Sequence, residues 1–331
     1  MGADAAKLLS VVTPAFNEAE NLPVFYKRLC DALKGAEFDW EWIVVDDHSK
    51  DRTFAVLQEL SSQDARVRGL RFTRNFGAHS AVRCGIEESR GQCTAVMAVD
   101  LQDPPELLPE LVAQWKSGAK VVWASRRSRP GETRMTLGFS SLYYFLMRRL
   151  VGLRELPPTG ADFFVIDRAV VAALSQFRES NLSLFALIAW MGFPSATLPY
   201  DKEPRVRGRS GWSLEKKLKL AIDSITSFTY LPIRLISYVG FLCAFLGFVY
   251  AGAITVRGFL GKGWPEGWAS LMVVLLVMGG IQMLMMGLLG EYLWRTLEES
   301  RQRPRYLIET RSEGPKEAPA PRPEETRTTN A

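Results

Sequence analysis

Two stretches of this sequence, residues 235–256 and 269–290, carry no charged side chain. As helices, each would cross about 30 Å of hydrocarbon, the thickness of a bilayer core. The segment between them is long enough for a turn and contains Trp264 and Trp268, where an aromatic belt is expected. We therefore expect a two-span transmembrane hairpin over residues 235–290. A helical hairpin buried inside a soluble domain is the alternative.

Most of the basic residues near these two stretches lie outside the pair rather than between them. Lys216, Lys217, Lys219 and Arg234 precede the first stretch, and Arg295, Arg301, Arg303 and Arg305 follow the second. The intervening segment contains only Arg257 and Lys262 as basic residues. Because an excess of lysine and arginine marks the cytoplasmic side of a membrane, both termini are expected in the cytoplasm.

The segments that flank the hairpin have patterns of their own. Residues 213–234 place leucine and isoleucine at helical spacing with lysines on the other faces, which predicts an amphipathic juxtamembrane helix lying in the headgroup layer. An ordinary surface helix is the alternative. Residues 291–310 are expected to form a cytosolic juxtamembrane segment. Residues 311–331, rich in proline, glutamate and threonine, are expected to be disordered.

Residues 1–212 alternate short apolar runs with helical patterns. The apolar runs are residues 8–13, 41–46, 67–72, 94–99 and 120–124, and the helical patterns are residues 22–34, 53–61, 78–90 and 107–117. Strands that alternate with helices of this length predict an α/β fold, in which a mostly parallel sheet carries helices on both faces. Ligands of such sheets bind beyond the carboxyl ends of the strands.

Polar residues follow three of these runs, at residues 14–18, 46–51 and 100–103. One cleft at the edge of the sheet would collect all of them, so we expect a shared ligand site rather than three independent turns. The oxygens of Asp100 and Gln102 are hard ligands that suit Mg²⁺ or Mn²⁺ carrying the phosphates of a substrate. Ala98 stands where a paired Asp-x-Asp motif would place its first carboxylate.

Composition narrows the classes of partner. The net charge of +5 allows phosphorylated or anionic partners, but the basic residues do not form a stripe with interleaved aromatic residues, so we expect no nucleic acid partner. Four scattered cysteines argue against a zinc site or a disulfide framework. The sequence contains neither a Gly-x-Gly-x-x-Gly after the first apolar run nor a P-loop, so phosphates must be neutralised by metal and arginine.

Several segments, taken in order, resemble the inverting GT-A glycosyltransferases of family 2. They are residues 11–18, 44–53, 74–77, 100–106 and 160–168. Together with the paired apolar stretches they are most similar to the membrane-anchored polyprenyl-phosphate glycosyltransferases, the group of the dolichyl-phosphate mannose synthases and bactoprenol glucosyltransferases. The resemblance implies a GT-A enzyme that moves a sugar from a nucleotide-sugar donor to a polyprenyl phosphate acceptor, at the cytosolic face of a bacterial inner membrane.

The resemblance also implies roles for matched positions. The nucleotide would be held by Pro14, Phe16, Asn17, Glu18 and Asp46 or Asp47. Asp100 and Gln102 would carry the divalent metal. Arg126 would contact the acceptor phosphate, and Arg134 is a second candidate, with a solvated surface arginine as the alternative. Asp162 would orient the acceptor or act as a base, or else form only a structural turn.

A basic loop follows the predicted catalytic domain. Arg205, Arg207 and Ser210 would belong to a mobile loop that closes on the donor, where Gly211 replaces the lysine expected from the resemblance. A solvated loop, or one that faces anionic lipid, is the alternative.

Two other functions stay open at this point. One is transfer to another membrane glycolipid or a polysaccharide, although processive synthases of that kind carry more spans. The other is a non-catalytic membrane partner that binds a nucleotide-sugar, which only Ala98 favours. The prediction names no particular sugar, base or lipid length, and it allows a homo-oligomer.

Overall fold

An eight-stranded sheet organises most of the chain in the computed structural model, which describes residues 8–127, 157, 162–177, 183–203, 231–260 and 267–312. The strands are β1 (Leu8–Ala15), β2 (Asp39–Asp46), β3 (Val67–Phe72), β4 (Cys93–Val96), β5 (Val121–Arg126), β6 (Phe163–Asp167), β7 (Ser195–Tyr200) and β8 (Ile308–Ser312). The helices are α1 (Asn21–Ala32), α2 (Thr53–Gln63), α3 (Ala78–Glu87), α4 (Leu108–Lys116), α5 (Arg168–Leu174), α6 (Leu184–Trp190), α7 (Leu231–Phe259) and α8 (Trp268–Ser300), and a 3₁₀ turn (Pro105–Leu107) precedes α4.

The strands follow the spatial order β7-β5-β6-β4-β1-β2-β3-β8. β1 pairs in parallel with β2 and β4, β2 with β3, and β5 with β7, whereas β6 and β8 run antiparallel to their neighbours. The carboxyl ends of β1 to β5 and of β7 therefore meet the amino ends of β6 and β8 at one edge, which we call the carboxyl edge. The mostly parallel α/β sheet expected from the sequence is confirmed.

Each face of the sheet has its own apolar core. Successive residues of a strand point to opposite faces, so Trp42 packs with α1, where its ring stacks on Phe25 at 5.3 Å between centroids, while Ile43 faces α3. Both side chains are fully buried. Continuous burial on both faces is the reason that these strands are apolar runs rather than alternating ones.

The fourth predicted strand is shorter than expected. The apolar run continues to residue 99, but β4 ends at Val96. The amide of Met97 still donates to the carbonyl of Val12 at 3.1 Å, and the chain then turns at Leu101, whose φ is 60°. Val99 and Leu101 are buried beneath this turn, so their apolar character reflects packing of a loop rather than a continued strand.

The two predicted spans correspond to two long helices, α7 and α8. Within the described residues, one stretch, Ser237–Arg257 of α7, is long and apolar enough to cross a membrane, with a mean hydropathy of 2.1 and no part of it buried inside the molecule. The second span, residues 269–290 of α8, stays a prediction. Residues 231–234, assigned to the amphipathic segment, belong to α7, because the helix begins at Leu231. Residues 204–230 lie outside the described part of the chain.

The carboxyl-terminal strand β8 corrects the predicted start of the disordered tail. Arg311 and Ser312 belong to this strand, which pairs antiparallel with β3. The exposed edge of β3 offers unpaired backbone groups, and their pairing stabilises a strand whose own sequence is mostly polar. Residues 313–331 lie outside the described residues.

Candidate functional site

Backbone and side-chain hydrogen bonds join the loops that follow β1 and β2. The amide of Asn17 donates to Ser49 Oγ at 2.8 Å, and the amide of Lys50 donates back to Asn17 Oδ1 at 2.9 Å. The amide of Glu18 donates to Thr53 Oγ1 at 2.9 Å. Asn17 has a φ of 58°, a left-handed conformation that asparagine tolerates better than most residues. These bonds hold residues 14–18 against the loop that begins at Asp46.

The two adjacent carboxylates after β2 have different partners. Asp47 accepts from the amides of Phe76 at 2.7 Å and Gly77 at 2.9 Å, so it fixes the loop between β3 and α3. Burial raises the pKa of Asp47, and the two amides partly offset that effect. Asp46 is fully buried, and its Oδ1 accepts from the amide of Ser49 at 2.9 Å. Its Oδ2 has no hydrogen bond from any described residue and lies 3.5 Å from Arg71 Nη1.

The nearby aromatic residue of the first loop is open to solvent. Phe16 is 43% exposed at the carboxyl edge, beside the partly buried Pro14. Its neighbour Ala15 pairs with Asp46 across β1 and β2, and an exposed aromatic ring offers a stacking surface to a planar ligand. This arrangement brings the predicted nucleotide-binding residues of the first two loops together.

Asp100 and Gln102 lie on one tight turn after β4. The amide of Gln102 donates to Asp100 Oδ1 at 3.2 Å, and the buried Leu101 anchors the turn between them. The turn also contacts the segment after β7, because the amide of Glu203 donates to the carbonyl of Gln102 at 2.9 Å. Both predicted metal ligands therefore stand at the carboxyl edge.

The donor set around Asp100 determines what cation it could hold. No group of three histidine, cysteine or carboxylate side chains within the described residues is arranged as a metal site. Asp100 contributes one carboxylate and Gln102 one amide oxygen. Mg²⁺ is commonly held by one or two carboxylates together with substrate phosphates and water. The residues fit a cation that takes most of its ligands from a diphosphate, and they do not form an all-protein cage.

Arg126 and Asp162 form an ion pair at the same edge. Arg126 ends β5, and its Nη2 donates to Asp162 Oδ2, directly before β6. The arginine is mostly buried, with 17% of its side chain exposed, whereas Asp162 is half exposed. Burial lowers the pKa of Arg126, but the carboxylates of Asp162 and Asp103 outweigh it, and the net pKa is raised. The guanidinium of Arg126 therefore stays protonated and is largely shielded from solvent.

Asp103 is the last residue of the segment 100–103, and its side chain is fully buried behind the site. Its Oδ1 accepts from the hydroxyl of Tyr200 at 2.5 Å and lies 3.4 Å from Lys202 Nζ. Burial raises the pKa of Asp103. The bond to Tyr200 ties the loop after β4 to the end of β7. No individual role of this residue is predictable from the sequence, where only its place before two prolines sets it apart.

Arg28 of α1 is a second residue that sequence reasoning missed. Its guanidinium bonds both Glu106 and Glu203, at distances of 2.9 to 3.1 Å. These bonds fasten the 3₁₀ turn to the segment after β7, close to the Asp100 turn. The partners are 78 and 175 positions from Arg28, so nothing local in the sequence signals them.

Some predicted site residues lie outside the described residues. They are Arg134, Arg205, Arg207 and Ser210. Their roles stay predictions.

A separate cavity of about 500 Å³ opens at the opposite edge of the sheet, lined by Trp40, Arg66, Arg68 and Arg90 among others. Arg68 is engaged there by Glu41 at 2.9 Å, and Arg66 lies over the Trp40 ring at 4.1 Å. None of the predicted site residues lines it, and it is not part of the site described above.

Comparison with known proteins gives two family matches. Residues 10–174 match the model described as glycosyl transferase family 2, and residues 231–295 match the model described as a GtrB C-terminal hairpin. The chain is 37% identical to an uncharacterised glycosyltransferase of Synechocystis sp., over 91% of this chain and 94% of that protein. It is 33% identical to the bactoprenol glucosyl transferase of Shigella phage SfX, over 92% of this chain and 99% of that protein.

Solved structures show a more distant likeness. A mannosyltransferase from Pyrobaculum calidifontis in complex with GDP-Man and Mn²⁺ is 17% identical with a TM-score of 0.41, and the match covers 62% of this chain and 59% of that one.

Proposed function

The chain belongs to glycosyl transferase family 2, and we propose that it moves a sugar from a nucleotide-sugar to a polyprenyl phosphate at the cytosolic face of a membrane. The observation that carries the proposal is the meeting of the loops after β1, β2 and β4 with Arg126 at one edge of the sheet. Similarity to a protein named bactoprenol glucosyl transferase, over nearly the whole of both chains, supports the lipid acceptor.

The loops after β1 and β2 hold the nucleotide in this proposal. Pro14, Phe16, Asn17 and Glu18 form one wall, and Asp46 accepts a hydrogen bond from the base or ribose. Asp47 does not contact the nucleotide directly, because its carboxylate already accepts hydrogen bonds from the amides of Phe76 and Gly77. Its role is to keep that loop in place beside the nucleotide.

Asp100 and Gln102 would hold Mg²⁺ or Mn²⁺, which would supply Lewis-acid stabilisation of the charge that develops on the leaving diphosphate. The turn at Leu101 brings the two residues together, and a backbone hydrogen bond from Glu203 to Gln102 ties the turn to the segment after β7. Ala98 stands where an Asp-x-Asp motif would place its first carboxylate, so metal binding depends on Asp100.

Arg126 binds the phosphate of the acceptor. An oxygen of the lipid monophosphate attacks the anomeric carbon and forms the new C–O bond. The bond from that carbon to the diphosphate breaks, its electron pair leaves with the nucleoside diphosphate, and the configuration inverts. A phosphate is largely ionised near neutrality, so the attacking oxygen needs no strong base. Positioning and charge neutralisation are the main tasks of the protein.

Asp162 orients Arg126 in this proposal. Its carboxylate pairs with the guanidinium at the end of β5 and so holds Arg126 at the carboxyl edge. The acceptor phosphate takes the place of Asp162 on the guanidinium or shares it. The half-exposed position of Asp162 allows that exchange.

The helical hairpin brings the acceptor to this edge. The chain leaves the sheet after β7 and returns to the amino end of β8, and both points lie at the carboxyl edge. We propose that α7 and α8 both cross the membrane, with the sheet and both termini in the cytoplasm. The charge distribution around residues 235–290 supports this orientation.

A transfer assay on the full chain in membranes or nanodiscs tests the proposal. A panel of radiolabelled nucleotide-sugars is supplied with polyprenyl phosphate and Mg²⁺ or Mn²⁺, and label is measured in the lipid fraction. We expect label in the lipid for at least one donor, loss of it in Asp100→Ala, and retention in the surface control Glu59→Ala. Nucleotide binding without transfer to any lipid, or transfer only to a glycolipid acceptor, would overturn it.

A further inference from the structure

Several contacts attach β8 and the residues just before it to the rest of the sheet and to α3. Tyr306 stacks on Phe72 at 5.2 Å between centroids, and its hydroxyl donates to Glu87 Oε2 at 2.6 Å. Arg311 bonds both carboxylate oxygens of Glu88 at 2.7 and 2.8 Å. The edge of β3 adds backbone pairing. Glu309 takes no part in these contacts, so β8 is held without it.

The pairing of β8 with β3 is irregular at one point. Arg71 pairs with Thr310, but the next residue, Phe72, pairs with Ile308, so Glu309 is the extra residue of a bulge. A bulge changes the direction of the side chain it carries. Here Glu309 Oε2 lies 3.2 Å from Arg71 Nε and 4.0 Å from His48 Nδ1.

The guanidinium of Arg71 therefore bridges two carboxylates. Its Nη1 lies 3.5 Å from Asp46 Oδ2, its Nη2 donates to the carbonyl of Ser49 at 3.3 Å, and its Nε faces Glu309. Asp46 Oδ2 is buried and accepts no hydrogen bond from the described residues. The position of Arg71 thus determines how much of the Asp46 carboxylate is available to a ligand.

We propose that Glu309 is a positioning residue for the donor nucleotide, which holds Arg71 away from full contact with Asp46. The attraction between Arg71 and Glu309 opposes that between Arg71 and Asp46. Without the charge of Glu309, Arg71 closes on Asp46 and competes with the N–H or O–H group of the nucleotide. A segment that follows the membrane hairpin thereby completes the donor side of the site. This inference rests on the proposed role of Asp46 in nucleotide binding.

Substitution of Glu309 tests the inference in the full chain. Because the pair is partly exposed, we expect Glu309→Gln to raise KM for the nucleotide-sugar by up to about fivefold. Glu309→Lys, which adds repulsion toward Arg71, should raise it further. The KM for the lipid acceptor should not change. The affinity for the product nucleoside diphosphate, measured by isothermal titration calorimetry, should weaken by the same factors.

Arg311→Gln is the matched control, because it breaks another ion pair of the same strand that does not reach Asp46. It should leave KM for the donor unchanged, even if it lowers the melting temperature. Equal KM values for the wild type and Glu309→Gln, or equal changes in the donor and acceptor KM, would overturn the inference. A wild type without any transfer or nucleotide binding would instead overturn the proposed function.

Discussion

Arg126 and Asp162, 36 positions apart, form an ion pair across the carboxyl edge of the sheet. They meet because β6 runs antiparallel beside β5, which places the residue before β6 next to the end of β5. The pair holds the mostly buried guanidinium of Arg126 at the same edge as the loops that follow β1, β2 and β4. In the proposed function this guanidinium binds the phosphate of the acceptor, and Asp162 holds it in place.

Replacement of the two partners should have unequal effects. Arg126→Ala should lower kcat/KM for the acceptor by roughly a hundredfold or more, because it removes a charge-assisted contact to phosphate. Asp162→Asn should cost about tenfold or less, since it only loosens Arg126. Steady-state transfer kinetics with both substrates measure this difference. A loss of a thousandfold in Asp162→Asn, with a missing acidic limb of the pH–rate profile, would instead identify Asp162 as a base.

Metal dependence should rest on Asp100. We expect Asp100→Asn to raise the Mn²⁺ concentration needed for half-maximal transfer and to lower kcat by roughly a hundredfold or more. A metal titration of the wild type, Asp100→Asn and Glu59→Ala measures the effect. If the titration curves of all three coincide, Asp100 does not hold the metal.

Stability should depend on pH through Asp103. Burial raises the pKa of this carboxyl in the folded state, so the fold favours its protonated form. The stability that this preference contributes is present below the unfolded-state pKa of about 4 and is lost as pH rises through the folded-state pKa. Asp103→Asn keeps an acceptor for Tyr200 without a charge. Its melting temperature relative to the wild type should rise with pH from about 4 upward, and a constant difference would contradict this assignment.

If both helices span the membrane, we expect the loop between residues 256 and 269 to lie on its outer side. In intact cells, Lys262→Cys should react with a membrane-impermeant maleimide, because residue 262 lies between the two predicted spans. Thr310→Cys, in the exposed β8, should react only after permeabilisation. The wild type, with its own four cysteines, gives the background. Labelling of both positions from the same side would contradict the two-span arrangement.

The architecture of the sheet was largely predictable from local patterns. Val67–Phe72 is a strand over the predicted residues, because its apolar side chains are buried in the cores on both faces of the sheet, Val67 on one face and Leu70 and Phe72 on the other. The family was also predictable, since the motifs at residues 11–18 and 100–106 appear in order, and the family match confirms it. Convergence of the loops followed from the general rule for parallel sheets.

Long-range partners were not predictable. β8 contains only one apolar residue, Ile308, and becomes a strand because the edge of β3 is available to it. Tyr200 reaches Asp103 across 97 positions, and Arg28 reaches Glu203 across 175. Such pairs leave no periodic or local signal, so only the fold identifies them.

The hairpin is attached to the two outermost strands of the sheet, β7 and β8, rather than to neighbours. Seven inter-strand spacings separate them, about 34 Å in a regular sheet. If α7 and α8 cross the membrane as proposed, the chain joins them to opposite ends of the sheet, through residues 201–230 on one side and residues 301–307 on the other. Asp46, Asp100 and Arg126 all lie on strands or loops between these two points. In the proposed arrangement, a lipid acceptor would reach these residues by diffusion within the plane of the membrane, so that its search takes place in two dimensions.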